Sequence, residues 1–156
     1  MSGEIEVGAI VAPVDRIRFD SFPLICEPLS LLAPARSRWS RFPTVRITDL
    51  EGESLILFSS SFVLNDRILS ACAEAGFTPE VAGRSAQLGF ILEMVRSGVG
   101  VALLPKSEIT TLNPKEFAVC ILSDVVINFE IELAWAKSAR LSPAARKWID
   151  MLKEVN

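Results

Sequence analysis

Histidine is missing from all 156 residues. Its absence removes the commonest general base and metal ligand, and with them every Ser–His or Cys–His nucleophile pair. Cysteine is scarce. Cys26, Cys72 and Cys120 are an odd set without metal-ligand spacing, each inside an apolar run. They read as buried free thiols in a reducing cytoplasm, with a redox switch as the functional alternative. Glycine-rich sequence is limited to Gly98-Val99-Gly100. That triplet precedes a strand and opens no helix, so it reads as a tight turn and not as a dinucleotide fingerprint or a phosphate loop. No apolar run reaches the roughly 18 residues that cross a bilayer. Met1-Ser2-Gly3-Glu4 has neither the basic start nor the apolar stretch of an export signal. Positive charge is not in excess: 16 Lys and Arg face 19 Asp and Glu, for a formal net charge of -3. Specific binding of duplex nucleic acid by this chain alone is therefore not expected, because phosphate neutralisation needs clustered cations. The densest basic group is Arg36, Arg38 and Arg41 around Trp39. Such a group can hold single strands, and a solvated turn is the plainer reading. Together these absences lead us to expect no catalytic residue, no metal, no cofactor and no membrane contact. Internal repeats and low-complexity tracts are also missing.

Carboxylates do occur in near pairs: Glu4 with Glu6, Glu51 with Glu53, Glu130 with Glu132. On a strand, the spacing of the first and last pairs turns both groups to one face, normally the wet one. An acid–base pair would need two differently buried members, so the pairs read as surface charge.

Half of the residues are apolar. That is enough for one domain of ordinary size, or two small lobes sharing a sheet strand, to bury a core. Residues 5–11 read as a short buried strand ending at Pro13. Residues 22–33 read as a long, bent strand with edge character, because Pro23 and Pro28 interrupt it. A turn around Thr48-Asp49-Leu50 follows. From Ser54 the pattern alternates by element type. Leu55-Ile56-Leu57-Phe58 is a continuous apolar run, as in a parallel strand buried on both faces. Next comes a helix with Leu64, Ile68, Cys72 and Ala75 on one face, stopped at Gly76. A short strand over 80–83 precedes a helix presenting Leu88, Ile91, Leu92 and Val95, and then a strand over 99–104 closed by Pro105. Strand–helix–strand–helix–strand predicts a parallel sheet with helices on both sides. A helical turn over 107–112 and a strand over 118–122 come next. The period-two alternation of 129–135 predicts a half-exposed antiparallel strand. Ser142-Pro143 opens a last helix, with Ser at the N-cap and Pro at the first helical position. Its buried face would hold Ala145, Trp148, Ile149 and Leu152.

Two serine-bearing segments, Ser59-Ser60-Ser61 and Ser85-Ala86-Gln87, each lie between the C-terminal end of a strand and a helix start. In a parallel sheet those ends share one edge, where ligands bind. Amide groups and the helix dipole there favour a carboxylate or phosphate. The competing reading is that the serines are helix caps and nothing more.

Several stretches resemble the regulatory domain of LysR-type transcription regulators. Gly3-Glu4-Ile5-Glu6-Val7-Gly8-Ala9-Ile10 is similar to the family's G-x-hydrophobic-Asp-hydrophobic-Ala-Ile strand, with Glu6 in place of the Asp. Phe22-Pro23-Leu24-Ile25-Cys26-Glu27-Pro28-Leu29 looks like its crossover strand. Thr48-Asp49-Leu50, Ala75-Gly76-Phe77-Thr78-Pro79 and the run from Met94 to Pro105 match further stretches, as do Trp135-Ala136-Lys137 and Leu141-Ser142-Pro143-Ala144-Ala145-Arg146. The family's His-Pro-Leu is not found near Arg41-Phe42-Pro43. Each motif is degenerate alone; the order and spacing along the chain make the set specific.

The resemblance implies an α/β fold, a Rossmann-like lobe of the periplasmic-binding-protein-like (type 2) architecture with a partial second lobe. Residues 1–29 would be the end of lobe I and the first crossover. Residues 30–131 would be lobe II, nearly complete, and 132–156 the return strand and C-terminal helix of lobe I. The winged helix-turn-helix and the opening part of lobe I would lie outside this sequence. It further implies a cytoplasmic effector-binding domain that senses a small metabolite between the lobes. That domain would self-associate as a dimer or tetramer in the full regulator and reach DNA only through the N-terminal domain. The effector contacts would be Ser59, Ser60, Ser61 and Phe62, with Ser85 and Gln87 beside them, and Ala12 and Pro13 as a wall from the other lobe. A transport-system solute-binding protein of the same fold is the alternative, and an enzyme on that fold is a more remote one.

Overall fold

A computed structural model describes residues 5–155 of the chain. The strands are β1 (Gly8–Val11), β2 (Phe19–Pro34), β3 (Thr44–Val45), β4 (Ser54–Phe58), β5 (Glu80–Ser85), β6 (Ala102–Pro105), β7 (Phe117–Leu122) and β8 (Asn128–Ala136). The helices are α1 (Val63–Glu74), α2 (Leu88–Arg96), α3 (Lys106–Ile109) and α4 (Pro143–Val155), with short 3-10 turns at Arg38–Arg41 and Ile47–Leu50. The chain divides into two compact units, Glu27–Asn128 and Met1–Cys26 with Phe129–Asn156.

In Glu27–Asn128 the expected strand–helix alternation is present. β4 pairs in parallel with β5, and Leu55 forms a parallel bridge with Val101, just before β6. The β4–β5 register shifts between Leu55 and Ile56. Successive side chains of β4 point to opposite faces. Ile56 joins Leu32, Ala102, Leu104 and the α2 residues Ile91 and Val95 in one buried cluster. Leu55 and Leu57 are equally buried on the other face. That two-sided burial is the reason for the unbroken apolar run. The helix-to-strand connection also follows the sequence reading. Gly98 takes a φ of 77°, the Gly98 N–H donates to the Val95 carbonyl, and the Val99 N–H donates to that of Met94. The α2 carbonyls are thereby satisfied in the left-handed cap that glycine permits. A Cβ on Gly100 would lie 2.4 Å from the Ser54 carbonyl oxygen, so only glycine lets the chain pass this close to β4.

β2 differs from expectation. Its prolines predict edge character, yet Leu29–Leu32 pair with β6 on one side while Ser30–Pro34 pair with β7 on the other, both antiparallel. Pro23 and Pro28 fall outside the stretch that pairs with both β6 and β7, as proline's missing N–H favours. β3 then pairs in parallel with β7.

In the other unit β1 pairs antiparallel with β8, Gly8 opposite Ala134 and Val11 opposite Ile131. The expectation of a buried strand over 5–11 is corrected: Ile10 and Val11 are each about two-fifths exposed, and Ile5 is 85% exposed. β1 has one strand neighbour, and a single pairing covers backbone without covering faces. Trp148, expected on the buried face of α4, is 47% exposed, whereas Ala145 and Ile149 are buried. The helix start is as read. The Ala145 N–H donates to Ser142 Oγ at 3.2 Å, and the Glu6 carboxylate accepts from both the N–H and the hydroxyl of Ser142 at 2.8 Å. Glu4 lies outside the described residues.

Glu132 and Cys26 also depart from the sequence expectation. Glu132 of β8 is 7% exposed, not wet. It accepts the Ser21 hydroxyl at 2.5 Å and pairs with Arg16 at 2.8 Å, which is how a buried carboxylate is tolerated. Cys26 is exposed, with its thiol 3.9 Å from Glu130, while Cys72 and Cys120 are buried. All three are free thiols.

Candidate functional site

β4 and β5 run in parallel, so the loops that follow them leave the same edge of the sheet. The Ser59 N–H donates to the Ser85 carbonyl at 3.0 Å and ties the two loop starts together. Ser59, Ser60, Ser61, Phe62, Ser85 and Gln87 thus lie on one edge of Glu27–Asn128, at or just before the starts of α1 and α2. Ala12 and Pro13 belong to the other compact unit. There Ala12 is buried, with its N–H on the Glu130 carbonyl, and Pro13 is exposed.

The serines do not cap the helices. The N-cap of α1 is Phe62 and that of α2 is Gln87, both in extended conformation and neither making a side-chain cap. The chain between β4 and α1 is one residue longer than a Ser61 cap would need. Residues 59–62 form a turn closed by the Phe62 N–H on the Ser59 carbonyl at 3.0 Å. Ser60 and Ser61 stand exposed at its tip, and among the described residues neither their N–H groups nor their hydroxyls have a partner. Ser85 Oγ accepts the Gln87 N–H at 3.0 Å, a local turn bond ahead of α2. Phe62 is 40% exposed and stacks on Phe58, with ring centroids 5.1 Å apart and planes 22° from parallel.

Two residues of this edge were missed from the sequence. Asn65, in the first turn of α1, is 2% exposed. Its Nδ2 donates to the Phe58 carbonyl at 2.9 Å and the Ser59 carbonyl at 2.7 Å. Among the described residues its Oδ1 is buried without a partner, an omission that costs ~1–3 kcal/mol. Arg84 of β5 donates from Nη1 to the Phe58 carbonyl at 3.4 Å and remains exposed. An apolar helix face announces itself by period; a buried asparagine and a strand-end arginine have no such signal.

The edge offers hydrogen-bond donors, a cation and an aromatic face. Among the described residues no three His, Cys, Asp or Glu side chains gather as a metal set, and no helix is long and apolar enough to cross a membrane. A family model, the LysR substrate binding domain, matches residues 1–156. This chain belongs to that family. An HTH-type transcriptional regulator of Bacillus subtilis, YwbI, itself uncharacterized, is 34% identical over 151 residues, covering 97% of this chain and 50% of the relative. The reduced OxyR regulatory domain from Pseudomonas aeruginosa superposes with a TM-score of 0.79 at 28% identity, covering 98% of this chain and 72% of that one. The effector binding domain of QuiR, solved in complex with shikimate, superposes with a TM-score of 0.84 over 96% of this LysR-family chain and 71% of its own. At 19% identity that last likeness is one of fold. The expected periplasmic-binding-protein-like α/β architecture is thus the fold of this LysR-family chain. The chain spans about half the length of the curated relatives it matches.

Proposed function

We propose that this LysR-family chain is the effector-binding part of a transcription regulator and takes a small anionic metabolite on the β4/β5 edge. The observation that carries the reading is the turn at 59–62. It presents two unpaired N–H groups and two hydroxyls, joined through Ser59 to the start of the second loop at Ser85. A group rich in donors at a helix start suits an anion, and Phe62 supplies an apolar face to orient the rest of the ligand. The regulator relatives and the lack of histidine favour a sensor over an enzyme and over a transport solute-binding protein. In this reading residues 30–131 act as lobe II, with residues 1–29 and 132–156 contributing to lobe I. Self-association and contact with DNA belong to the intact regulator, the latter through a separate N-terminal domain.

A thermal-shift screen of small carboxylates and phosphates on the intact regulator tests the proposal. Once a ligand is found, Ser60→Ala or Ser61→Ala should weaken it by ~1 kcal/mol or more. Neither serine caps α1, so this loss would not come from helix stability. Unchanged affinity for both variants would remove the turn from the site.

A further inference from the structure

We infer that Asn65 is a positioning residue that shapes the turn at 59–62 for one carboxylate group, with Arg84 supplying the facing charge. This deepens the effector-site reading and rests on it. In a trans peptide the C=O and N–H point in opposite directions. Asn65 Nδ2 holds the Ser59 carbonyl at 2.7 Å, which turns the Ser60 N–H away from Asn65 and out of the turn. The same amide holds the Phe58 carbonyl at 2.9 Å, so the chain leaving β4 is fixed at two successive peptides. Ser60 and Ser61 then present adjacent N–H groups and hydroxyls from an exposed turn, ahead of a 12-residue helix. Two neighbouring donor groups match the two oxygens of a carboxylate.

The second observation is Asn65 itself. Its side chain runs back from the first turn of α1 into this turn, 2% exposed, with no donor to Oδ1 among the described residues. An apolar residue would strand no amide oxygen but would release the Phe58 and Ser59 carbonyls, so the amide is kept for the shape it gives the loop. Charge agrees with this assignment. Arg84 lies against the Phe58 carbonyl at the same strand end. Asp66, the acidic residue in the first turn of α1, opposes it, so net attraction needs the turn's donors as well as the arginine. Phe62, stacked on Phe58 and 40% exposed, points to a carboxylate carried on a small apolar or aromatic body.

The test is a titration of the isotope-labelled chain with benzoate and with its neutral analogue benzamide, following the Ser60 and Ser61 amide signals by NMR. Benzoate is expected to bind about tenfold more tightly than benzamide, the scale of a charge-assisted hydrogen bond. Asn65→Ala and Asn65→Asp should reduce that preference to near unity while the signals of β6 and β7 stay in place. Arg84→Gln should lower it severalfold, and it decides the matter if the Asn65 variants fail to fold. Should benzamide match benzoate, or should all the variants keep the preference, the inference falls and the effector-edge reading survives. Should neither probe move the amides of residues 60–62 or 85–87, both fall.

Discussion

Within Glu27–Asn128, Leu32, Leu50, Leu55, Ile56, Ile68, Ile91, Val95 and Leu104 are all at most 2% exposed and form a continuous interior, although Phe42, Phe90, Ile121 and Val126 at its surface are 52–73% exposed. In the other unit Leu133 and Ile149 are buried, but Ile10, Val11, Ile25, Trp148 and Met151 are 39–55% exposed and Ile17 88%. Both stretches are comparably apolar in sequence, so composition does not separate them. The difference is architectural. β4 is flanked on both faces and both edges, and each side chain meets a neighbour whichever way it points. β1 has one strand neighbour, and α4 presents a flank that nothing among the described residues covers. Apolar periodicity states which side chains share a face; it does not state that something packs on that face.

Paired truncations should separate the two units most clearly. Ile56→Ala or Leu104→Ala should cost ~2–5 kcal/mol in urea unfolding, whereas Trp148→Ala should cost well under half as much. Equal losses would mean that Trp148 is as much a core residue as Ile56.

A smaller effect is expected at the start of α4. Ser142→Ala removes the N-cap acceptor for the Ala145 N–H and a hydroxyl held by Glu6, and should cost ~1 kcal/mol. Hydrogen exchange should show the loss in α4 and leave β4–β6 protected. A uniform loss across the chain would contradict the separation into two units.

Exposed apolar surface also tends to find partners. Sedimentation over a wide concentration range should show self-association of this chain, weakened severalfold by the double change Trp148→Gln and Met151→Gln. A monomer at all concentrations would show that this flank is not adhesive.

A further, pH-dependent effect concerns the thiols. Burial pushes the Cys72 thiol up from 9.0 to about 11, and burial raises that of Cys120 as well. The folded state therefore keeps the Cys72 proton that the unfolded chain releases. The contribution is fully present below pH 9.0 and is lost as the pH climbs to about 11. Cys72→Ala should flatten stability across that window. At pH 8 iodoacetamide should modify exposed Cys26 first and reach Cys72 and Cys120 only on unfolding; equal labelling of all three would overturn the burial argument.

Much of Glu27–Asn128 was legible because its signals are local. The apolar run 55–58, the α2 face and the Gly98 turn each follow from backbone geometry and period alone. So did the placing of both serine segments at strand ends. The competing reading of the serines as caps failed because turn length, not residue type, decides which residue becomes the N-cap. Asn65, Arg84 and Glu132 were invisible as partners, since a polar residue declares its contacts only when the fold brings them to it.

The sequence by itself determined the alternation of strand and helix, the glycine that ends α2, the serine that starts α4, and the family. These depend on neighbours a few residues apart, whose geometry the chain carries locally. Tertiary structure alone decided that β2 is central and β1 an edge, that Glu132 is buried against Ser21 and Arg16, and that Asn65 folds the turn at 59–62 outward. Those outcomes depend on which strands pair across large sequence distances, and the pairing follows from the total burial of the sheet, not from any one segment.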